Sequence, residues 1–194
     1  MNKKLKIGLI AAGIAVIAAG IIGGGIMFAN DNTEPIDMGG KKVLVAYYSY
    51  SGNTKAVAEK IQKFTGGDIF EIKPAKAYPA NYNDVVNLAQ TEKAQDAKPE
   101  LMDNGNTEGY EIIFLGTPVW WYTMASPVRT FLSVNKFDGK TILPFCTHGG
   151  GGESSTYTDM QKLAPGAKFT AGYTSYERSA KDADIKKWIN ESIK

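Results

Sequence analysis

Residues 42 to 55 read KVLVAYYSYSGNTK, which combines an apolar run, a polar loop and the beginning of a helical pattern. The run from Val43 to Ala46 predicts a strand that is buried on both faces. After Thr54, apolar side chains recur at helical spacing and predict a helix over 53–65. A buried strand that turns directly into a helix is typical of alternating α/β folds.

The loop between this strand and helix is suited to hold an anion. A phosphate there would meet free backbone N–H groups, the positive end of the helix dipole and short hydroxyl side chains. The motifs of nucleoside triphosphate and dinucleotide sites are both absent. The pattern therefore predicts a cradle for a terminal phosphate monoester, although a Ser/Asn-rich turn with an ordinary N-cap remains an alternative. The cradle residues are Ser49, Tyr50, Ser51, Gly52, Asn53 and Thr54.

The same alternation continues to the end of the chain and predicts a parallel sheet with helices on both faces. Strands are expected at 42–49, 68–73, 111–117, 141–147 and 168–174. Helices are expected at 53–65, 82–94, 127–134, 154–163 and 182–192.

The first 30 residues form a leader of different composition. Three lysines precede 23 uncharged residues, Ile7 to Ala29. As a helix this stretch is about 34 Å long, which is enough to span a bilayer, and the lysines would stay in the cytoplasm. We expect a single-pass cell-membrane protein, with a linker over 31–40 and one domain over 41–194 outside the cytoplasm. A cleaved signal peptide, and so a secreted domain, is the alternative.

The charge of the remaining chain is close to neutral. The full sequence has 22 basic and 20 acidic residues; without the three leader lysines, 19 basic residues face 20 acidic ones, a net charge of −1. This balance argues against nucleic acid as a partner. The lone Cys146 cannot form an internal disulfide, and no metal is needed to hold a domain of this size.

Three distinctive loops follow the first, third and fourth predicted strands. Because ligands of parallel α/β sheets bind at the carboxyl ends of the strands, these loops should meet at one edge. The first is the cradle, the second is rich in aromatic residues, and the third is a glycine run in which backbone can approach a ligand closely. Together they predict a phosphorylated ligand with a flat ring, and flavin mononucleotide (FMN) fits best.

The chain resembles the flavodoxin family over about residues 41 to 193. The similarity is carried by Ser-x-Ser-Gly-Asn-Thr-Lys after the first strand, Thr-Pro-Val-Trp-Trp after the third, and Cys-Thr-His-Gly-Gly after the fourth. Tyr78-Pro79-Ala80-Asn81-Tyr82-Asn83 and Gly139-Lys140-Thr141-Ile142 also match the family pattern. The resemblance implies a flavodoxin-like, doubly wound, five-stranded sheet of order 2-1-3-4-5.

The resemblance also assigns roles to the loops. It implies that Ser49 and Ser51 to Thr54 hold the FMN phosphate. The residues that would flank the isoalloxazine are Thr117, Pro118, Val119, Trp120, Trp121 and Tyr122. Those that would border its pyrimidine edge are Cys146, Thr147, His148, Gly149 and Gly150.

One residue departs from the family pattern. Relatives with the Trp-Trp pair often have glycine next, where this chain has Tyr122. If the loop needs a positive φ there, tyrosine would be strained.

Several of these side chains have a second interpretation. The adjacent Trp120 and Trp121 should point opposite ways in an extended loop, so that one can touch the cofactor while the other packs inward. His148 is either a charge or proton source beside the flavin or a solvated loop residue. Cys146 is expected to be a small buried residue, and Trp188 a core residue.

The resemblance implies a monomeric electron-transfer protein that serves redox partner proteins, a redox carrier rather than a turnover enzyme. Together with the leader, it predicts that these partners are met on the outer face of the membrane. No catalytic or metal residues are assigned. Two other functions remain open. One is an FMN-dependent NAD(P)H:quinone-type oxidoreductase, and the other is a binding module without flavin.

Overall fold

The computed structural model describes residues 35 to 194. Strands and helices alternate through most of this range. The strands are β1 (Val43–Tyr47), β2 (Asp68–Glu71), β3 (Ile112–Trp120), β4 (Thr123–Met124), β5 (Thr141–His148), β6 (Lys168–Phe169) and β7 (Tyr173–Tyr176). The helices are α1 (Asn53–Thr65), α2 (Tyr82–Ala94), α3 (Ser126–Val134), α4 (Thr156–Leu163) and α5 (Asp182–Ser192).

The strands form one sheet around β1 and β3. Its order is β2-β1-β3-β5, and these neighbours are parallel; β6 and β7 both pair with β5 in parallel. Val45 lies opposite Ile69 on one side and Phe114 on the other. Because every one of these strands runs in the same direction, the loops after β1, β3 and β5 leave the sheet at the same edge.

The sheet differs from the predicted five strands in order 2-1-3-4-5 at two places. Strand β4 is an addition that pairs antiparallel with the end of β3. The predicted fifth strand, 168–174, is interrupted between Phe169 and Tyr173. There the carbonyl of Ala171 accepts a hydrogen bond from Trp188 Nε1 at 2.8 Å, and a side chain at Gly172 would collide with the Tyr157 ring. Thr170 N still donates to the carbonyl of Ile142 on β5 at 3.1 Å, so β5 and the two helices together hold the chain at this point.

Helices cover both faces of the sheet, as predicted. On one face α3 and α4 contribute to a buried cluster that includes Phe131 and Met160. On the other face α1 and α5 contribute Ile61 and Ile185 to a second cluster. Trp188, predicted to be a core residue, is 8% exposed and belongs to the second cluster.

Helix α1 has the predicted bounds. Its buried side chains include Val57, Ala58, Ile61 and Phe64, the apolar stripe that the sequence indicates. Gly66 ends the helix with a φ of 66°, and its N–H donates to the carbonyl of Gln62 at 2.8 Å. Glycine is favoured there because side chains are disfavoured at positive φ.

The predicted membrane-spanning segment over 7–29, and its alternative as a signal peptide, lie outside the described residues. Within residues 35–194, none of the helices combines the length and apolar character needed to cross a membrane. The first described residues lie at the amino edge of the sheet. Ile36 N–H donates to the carbonyl of Phe64, at the end of α1, at 2.7 Å, and Met38 packs into the cluster between α1, α5 and the sheet.

Candidate functional site

A cleft of about 330 Å³ opens at the carboxyl edge of the sheet. It lies between the loops after β3 and β5, with the first half of α2 as its third wall. Seven predicted site residues line it: Tyr50, Val119, Trp120, Trp121, Tyr122, His148 and Gly149. The structure thus brings all three predicted loops together, because Tyr50 comes from the loop after β1.

The wall formed by α2 was not predicted as part of the site. Its lining residues are Tyr82, Val85, Val86 and Ala89. In the sequence they look like one apolar stripe of an amphipathic helix, and only tertiary packing turns part of that stripe towards a cleft. Gly151 and Ser154, which follow the predicted glycine residues, also line the cleft.

The loop after β1 lacks an ordinary helix cap. Gly52 precedes α1 with a φ of 86° and offers no side-chain cap to the N–H groups of the first turn. Helix α2 is different, because Asn81 Oδ1 accepts hydrogen bonds from Asn83 N at 2.9 Å and Asp84 N at 3.2 Å. The side-chain cap of an ordinary turn is therefore absent here, as it is at α3, α4 and α5, and the start of α1 retains N–H groups that can bind an anion.

Ser49 provides a second sign of a ligand at this loop. Its Oγ is buried and has no hydrogen-bond partner among residues 35–194. A buried hydroxyl without a partner costs about 1–3 kcal/mol, so such groups in native proteins usually have a ligand or water as partner. Ser51 is exposed, whereas Gly52 and Asn53 are half-buried. An incoming phosphate would thus meet both exposed and sheltered donors.

Thr54 has a different environment from the rest of the loop. It is 1% exposed, and its Oγ1 lies 2.8 Å from Oγ1 of Thr147, which is 3% exposed. Thr147 is near the end of β5, so this hydrogen bond joins the start of α1 to the base of the glycine loop. Both residues were predicted as site residues, and the structure places them beneath the site.

Thr117 is also a buried support. It is 0% exposed, its Oγ1 accepts from Ala125 N at 3.0 Å, and it donates to the carbonyl of Pro118 at 2.9 Å. It therefore connects the two ends of the segment that contains β4. Cys146 is fully buried as well, as expected. Its sulfur lies 3.2 Å from the Tyr157 hydroxyl, and burial raises the pKa of the thiol to about 11.

The aromatic loop is a tight hairpin between β3 and β4. Trp120 pairs with Thr123, so Trp121 and Tyr122 form a two-residue turn. Their φ angles are 49° and 69°, as hairpin turns with two left-handed residues require. Glycine or asparagine usually occupies such positions. The strain expected at Tyr122 is therefore present, and it extends to Trp121.

Contacts from α4 hold the strained turn in place. The carbonyl of Tyr122 accepts hydrogen bonds from Ser155 N at 3.0 Å and Ser155 Oγ at 2.7 Å. Thr123 Oγ1 donates to Asp159 Oδ2 at 2.7 Å. Strained backbone of this kind is found most often at ligand and active sites, where the surrounding structure maintains it.

The two tryptophans have different partners. The ring of Trp120 makes edge contacts with Tyr48, Tyr50 and Tyr78, with centroid distances of 5.5, 5.9 and 5.0 Å. Trp121 Nε1 donates to the carbonyl of Val86 on α2 at 2.9 Å. Both rings line the cleft, while Tyr122 is 64% exposed at its mouth.

His148 lies where β5 ends and the glycine run begins. Its Nδ1 accepts a hydrogen bond from Gly150 N at 3.0 Å, and its ring makes an edge contact with Tyr176 at 5.8 Å. Gly150 has a φ of 135°, a conformation that residues with side chains rarely adopt. The imidazole therefore holds the start of the glycine loop and lies in the wall of the cleft.

Comparisons with known proteins agree with this geometry. The family model for flavodoxin matches residues 42–192. The chain is 31% identical to a Bacteroides uniformis protein designated a flavoprotein, with a TM-score of 0.70 over 78% of this chain and 99% of the other. It is 28% identical to a similarly designated Bacteroides eggerthii protein, with a TM-score of 0.69 over 78% and 98%.

A third solved structure is a Lactobacillus acidophilus flavoprotein in complex with FMN. It is 26% identical, with a TM-score of 0.61 over 77% of this chain and 99% of the other. The family match covers the cradle, the aromatic hairpin and the glycine loop in one continuous range. The chain therefore belongs to the flavodoxin family.

Proposed function

We propose that this protein binds FMN and carries electrons between redox partner proteins on the outer face of a membrane. The observation that carries the proposal is a 330 Å³ cleft with aromatic walls beside the loop after β1, whose Tyr50 lines the cleft. The same loop contains the buried, unpartnered Ser49 hydroxyl and leads into the uncapped start of α1. FMN has the two matching parts, a flat ring and a terminal phosphate. When bound, it supplies one-electron and two-electron redox chemistry.

The residues present fit this cofactor. Ser49, Ser51 and the N–H groups at the start of α1 would hold the phosphate, and they are neutral donors suited to an anion. The hairpin and the glycine loop would border the ring, with Trp120 and Trp121 excluding water from one side. The buried hydrogen bond between Thr54 and Thr147 would keep the phosphate and ring regions in a fixed relation.

The open mouth of the cleft favours a carrier over a turnover enzyme. Tyr122 is 64% exposed and Tyr82 is 74% exposed, and both line the cleft. A partner protein could therefore approach the ring edge without any lid moving. Exposed aromatic side chains are also common at contact surfaces between proteins.

The membrane part of the proposal rests on the leader sequence over 7–29. Residues 36 to 42 lie at the amino edge of the sheet, and the cleft is at the carboxyl edge. Because the lysines before the leader would stay in the cytoplasm, the proposal has the domain on the outer face. Proteolysis of intact cells that express the chain tests this: the domain should be degraded by external protease. Protection in intact cells, with degradation after lysis, would contradict an outward-facing domain.

The cofactor is tested by visible absorption of the full-length chain, purified in detergent and titrated with FMN and then with riboflavin. We expect perturbed flavin bands that saturate with FMN at a lower concentration than with riboflavin, because only FMN has the phosphate. No perturbation by either ligand would favour the binding module without flavin. Steady-state oxidation of NAD(P)H by the FMN-loaded protein would instead place the chain among the reductases.

A further inference from the structure

The sequence contains two arginines, Arg129 and Arg178, and they have opposite environments. Arg129 forms an ion pair with Asp96 at 3.2 Å. Arg178 pairs with no carboxylate within residues 35–194; its Nε donates a hydrogen bond of 3.2 Å to Oδ1 of Asn53. Asn53 is the first residue of α1 and part of the phosphate cradle, so a positive charge without a counter-ion among the described residues lies at the edge of that cradle.

The backbone around Arg178 holds it in this position. Ser179 N donates to the carbonyl of Tyr176 at 2.9 Å, which closes a tight turn. Glu177 N donates to the carbonyl of His148 at 3.0 Å and joins this turn to the end of β5. Glu177 has a φ of 43°, a left-handed conformation that most side chains disfavour and that occurs often at functional sites.

A second contact fixes the segment that follows the turn. Lys60 of α1 donates to the carbonyl of Ala180 at 2.8 Å and pairs with Asp182 at 2.6 Å. The chain from the turn to the start of α5 therefore lies against α1. This packing is the reason that Arg178, far from Asn53 in sequence, reaches the cradle.

The hydrogen bond determines which atoms of Asn53 remain free. A guanidinium group only donates, so the oxygen of the Asn53 side chain faces Arg178 and its NH₂ group remains available as a donor. The guanidinium has further N–H groups in a planar fork, and none of them has an acceptor within the described part of the chain. Such a fork matches the geometry of phosphate oxygens.

We propose that Arg178 is a positioning and selectivity residue of the phosphate cradle: it orients the Asn53 side chain and supplies the positive charge by which the site prefers a phosphorylated flavin over riboflavin. This inference rests on the proposed FMN function and deepens it. The site then combines neutral donors from the loop after β1 with a charge from the loop after β7. Arg178 was not predicted as a site residue, because it lies outside the three motif loops.

The test compares the affinities for FMN and riboflavin, measured by fluorescence quenching on the full-length chain in detergent. Arg178→Ala should weaken FMN about tenfold, equivalent to about 1.4 kcal/mol, and leave riboflavin unchanged. Arg178→Lys should lose less FMN affinity than Arg178→Ala, since lysine keeps the positive charge. Lys63→Gln is the matched control, because it removes an exposed positive charge in the last turn of α1, at the opposite edge of the sheet; it should change neither affinity.

Two further measurements distinguish a specific role from a structural one. The FMN affinity of the unsubstituted chain should fall with rising salt more steeply than that of Arg178→Ala, because the lost interaction is between charges. Asn53→Ala and Arg178→Ala should each lower the affinity for FMN. The double variant should lose less binding free energy than the sum of the two single losses, because Arg178 acts partly through Asn53. Equal losses of FMN and riboflavin affinity in Arg178→Ala, or no loss at all, would overturn the proposal.

Failure of this inference can be separated from failure of the proposed function. If the unsubstituted chain binds neither flavin, the FMN function is wrong and the inference falls with it. If the unsubstituted chain prefers FMN and Arg178→Ala keeps the same preference, FMN is bound by the neutral donors alone and only the role of Arg178 is wrong.

Discussion

Thr54 and Thr147 share a buried hydrogen bond, with their hydroxyl oxygens 2.8 Å apart, although 93 residues separate them in sequence. Thr54 belongs to the first turn of α1, and Thr147 belongs to β5. The bond joins the phosphate end of the site to the base of its glycine loop. Neither side chain is exposed enough to be a simple surface ligand.

Replacing either threonine by valine should destabilise the protein. Each substitution leaves one buried hydroxyl without its partner, at a cost of about 1–3 kcal/mol, while the double variant Thr54→Val/Thr147→Val removes both groups. We therefore expect the double variant to be less destabilised than the sum of the single variants. Thermal unfolding of the four proteins measures this coupling; strictly additive shifts would mean that the bond contributes nothing.

Ser49→Ala should separate stability from binding. The hydroxyl is buried without a protein partner, so its removal should leave the apoprotein as stable or raise its free energy of unfolding by up to about 1 kcal/mol. Binding of FMN should weaken while binding of riboflavin changes little. Thr156→Val is the control, because Thr156 Oγ1 is the other unpartnered buried hydroxyl of the described residues and lies on α4. It should not alter the preference for FMN, and a Ser49→Ala protein with unchanged FMN affinity would argue against a phosphate at that hydroxyl.

Tyr122→Gly should stabilise the hairpin. A side chain at a φ of 69° is disfavoured by about 1–2 kcal/mol, part of which is offset by the larger unfolded-state entropy of glycine. A net gain of about 1 kcal/mol is expected in chemical denaturation. Tyr122→Ala keeps the strain and also removes the ring, including its contact with Lys93 at 5.7 Å, and should show no gain. Equal stability of the glycine and alanine variants would show that the turn is not strained.

The buried thiol of Cys146 should make stability fall with rising pH. Burial raises its pKa from 9.0 to about 11, so above pH 9 the folded state retains a proton that the unfolded state loses. The stabilisation is complete below pH 9 and is lost as pH rises towards 11, at up to about 1.4 kcal/mol per unit. Cys146→Ala should have a shallower slope between pH 9 and 10 than the unsubstituted protein. Buried tyrosines such as Tyr47, whose pKa burial raises from 10.0 to about 12, contribute their own slope equally in both proteins, so only the difference between the two is assigned to Cys146. The same slope in both proteins would assign it to other groups.

Local sequence patterns determined most of the secondary structure. The bounds of α1, α2 and α5 agree with the prediction, because apolar spacing and Gly66 are signals that act within one or two turns. The positions of β1, β2, β3 and β5 were also predicted, whereas the predicted strand over 168–174 is divided into β6 and β7. The carboxyl-edge rule correctly predicted that the three loops lie together. The cradle, the aromatic loop and the glycine loop are each continuous in sequence, so their chemistry could be interpreted directly.

Tertiary structure alone decided the features that depend on distant residues. Between β6 and β7 the chain contacts Trp188 and Tyr157, which lie on α5 and α4. The cleft wall on α2, the burial of Thr54 and Thr147, and the approach of Arg178 to Asn53 all join segments far apart in the chain. Hydrogen bonding and packing between such segments depend on where whole helices and strands meet. The local spacing of residues does not determine those contacts.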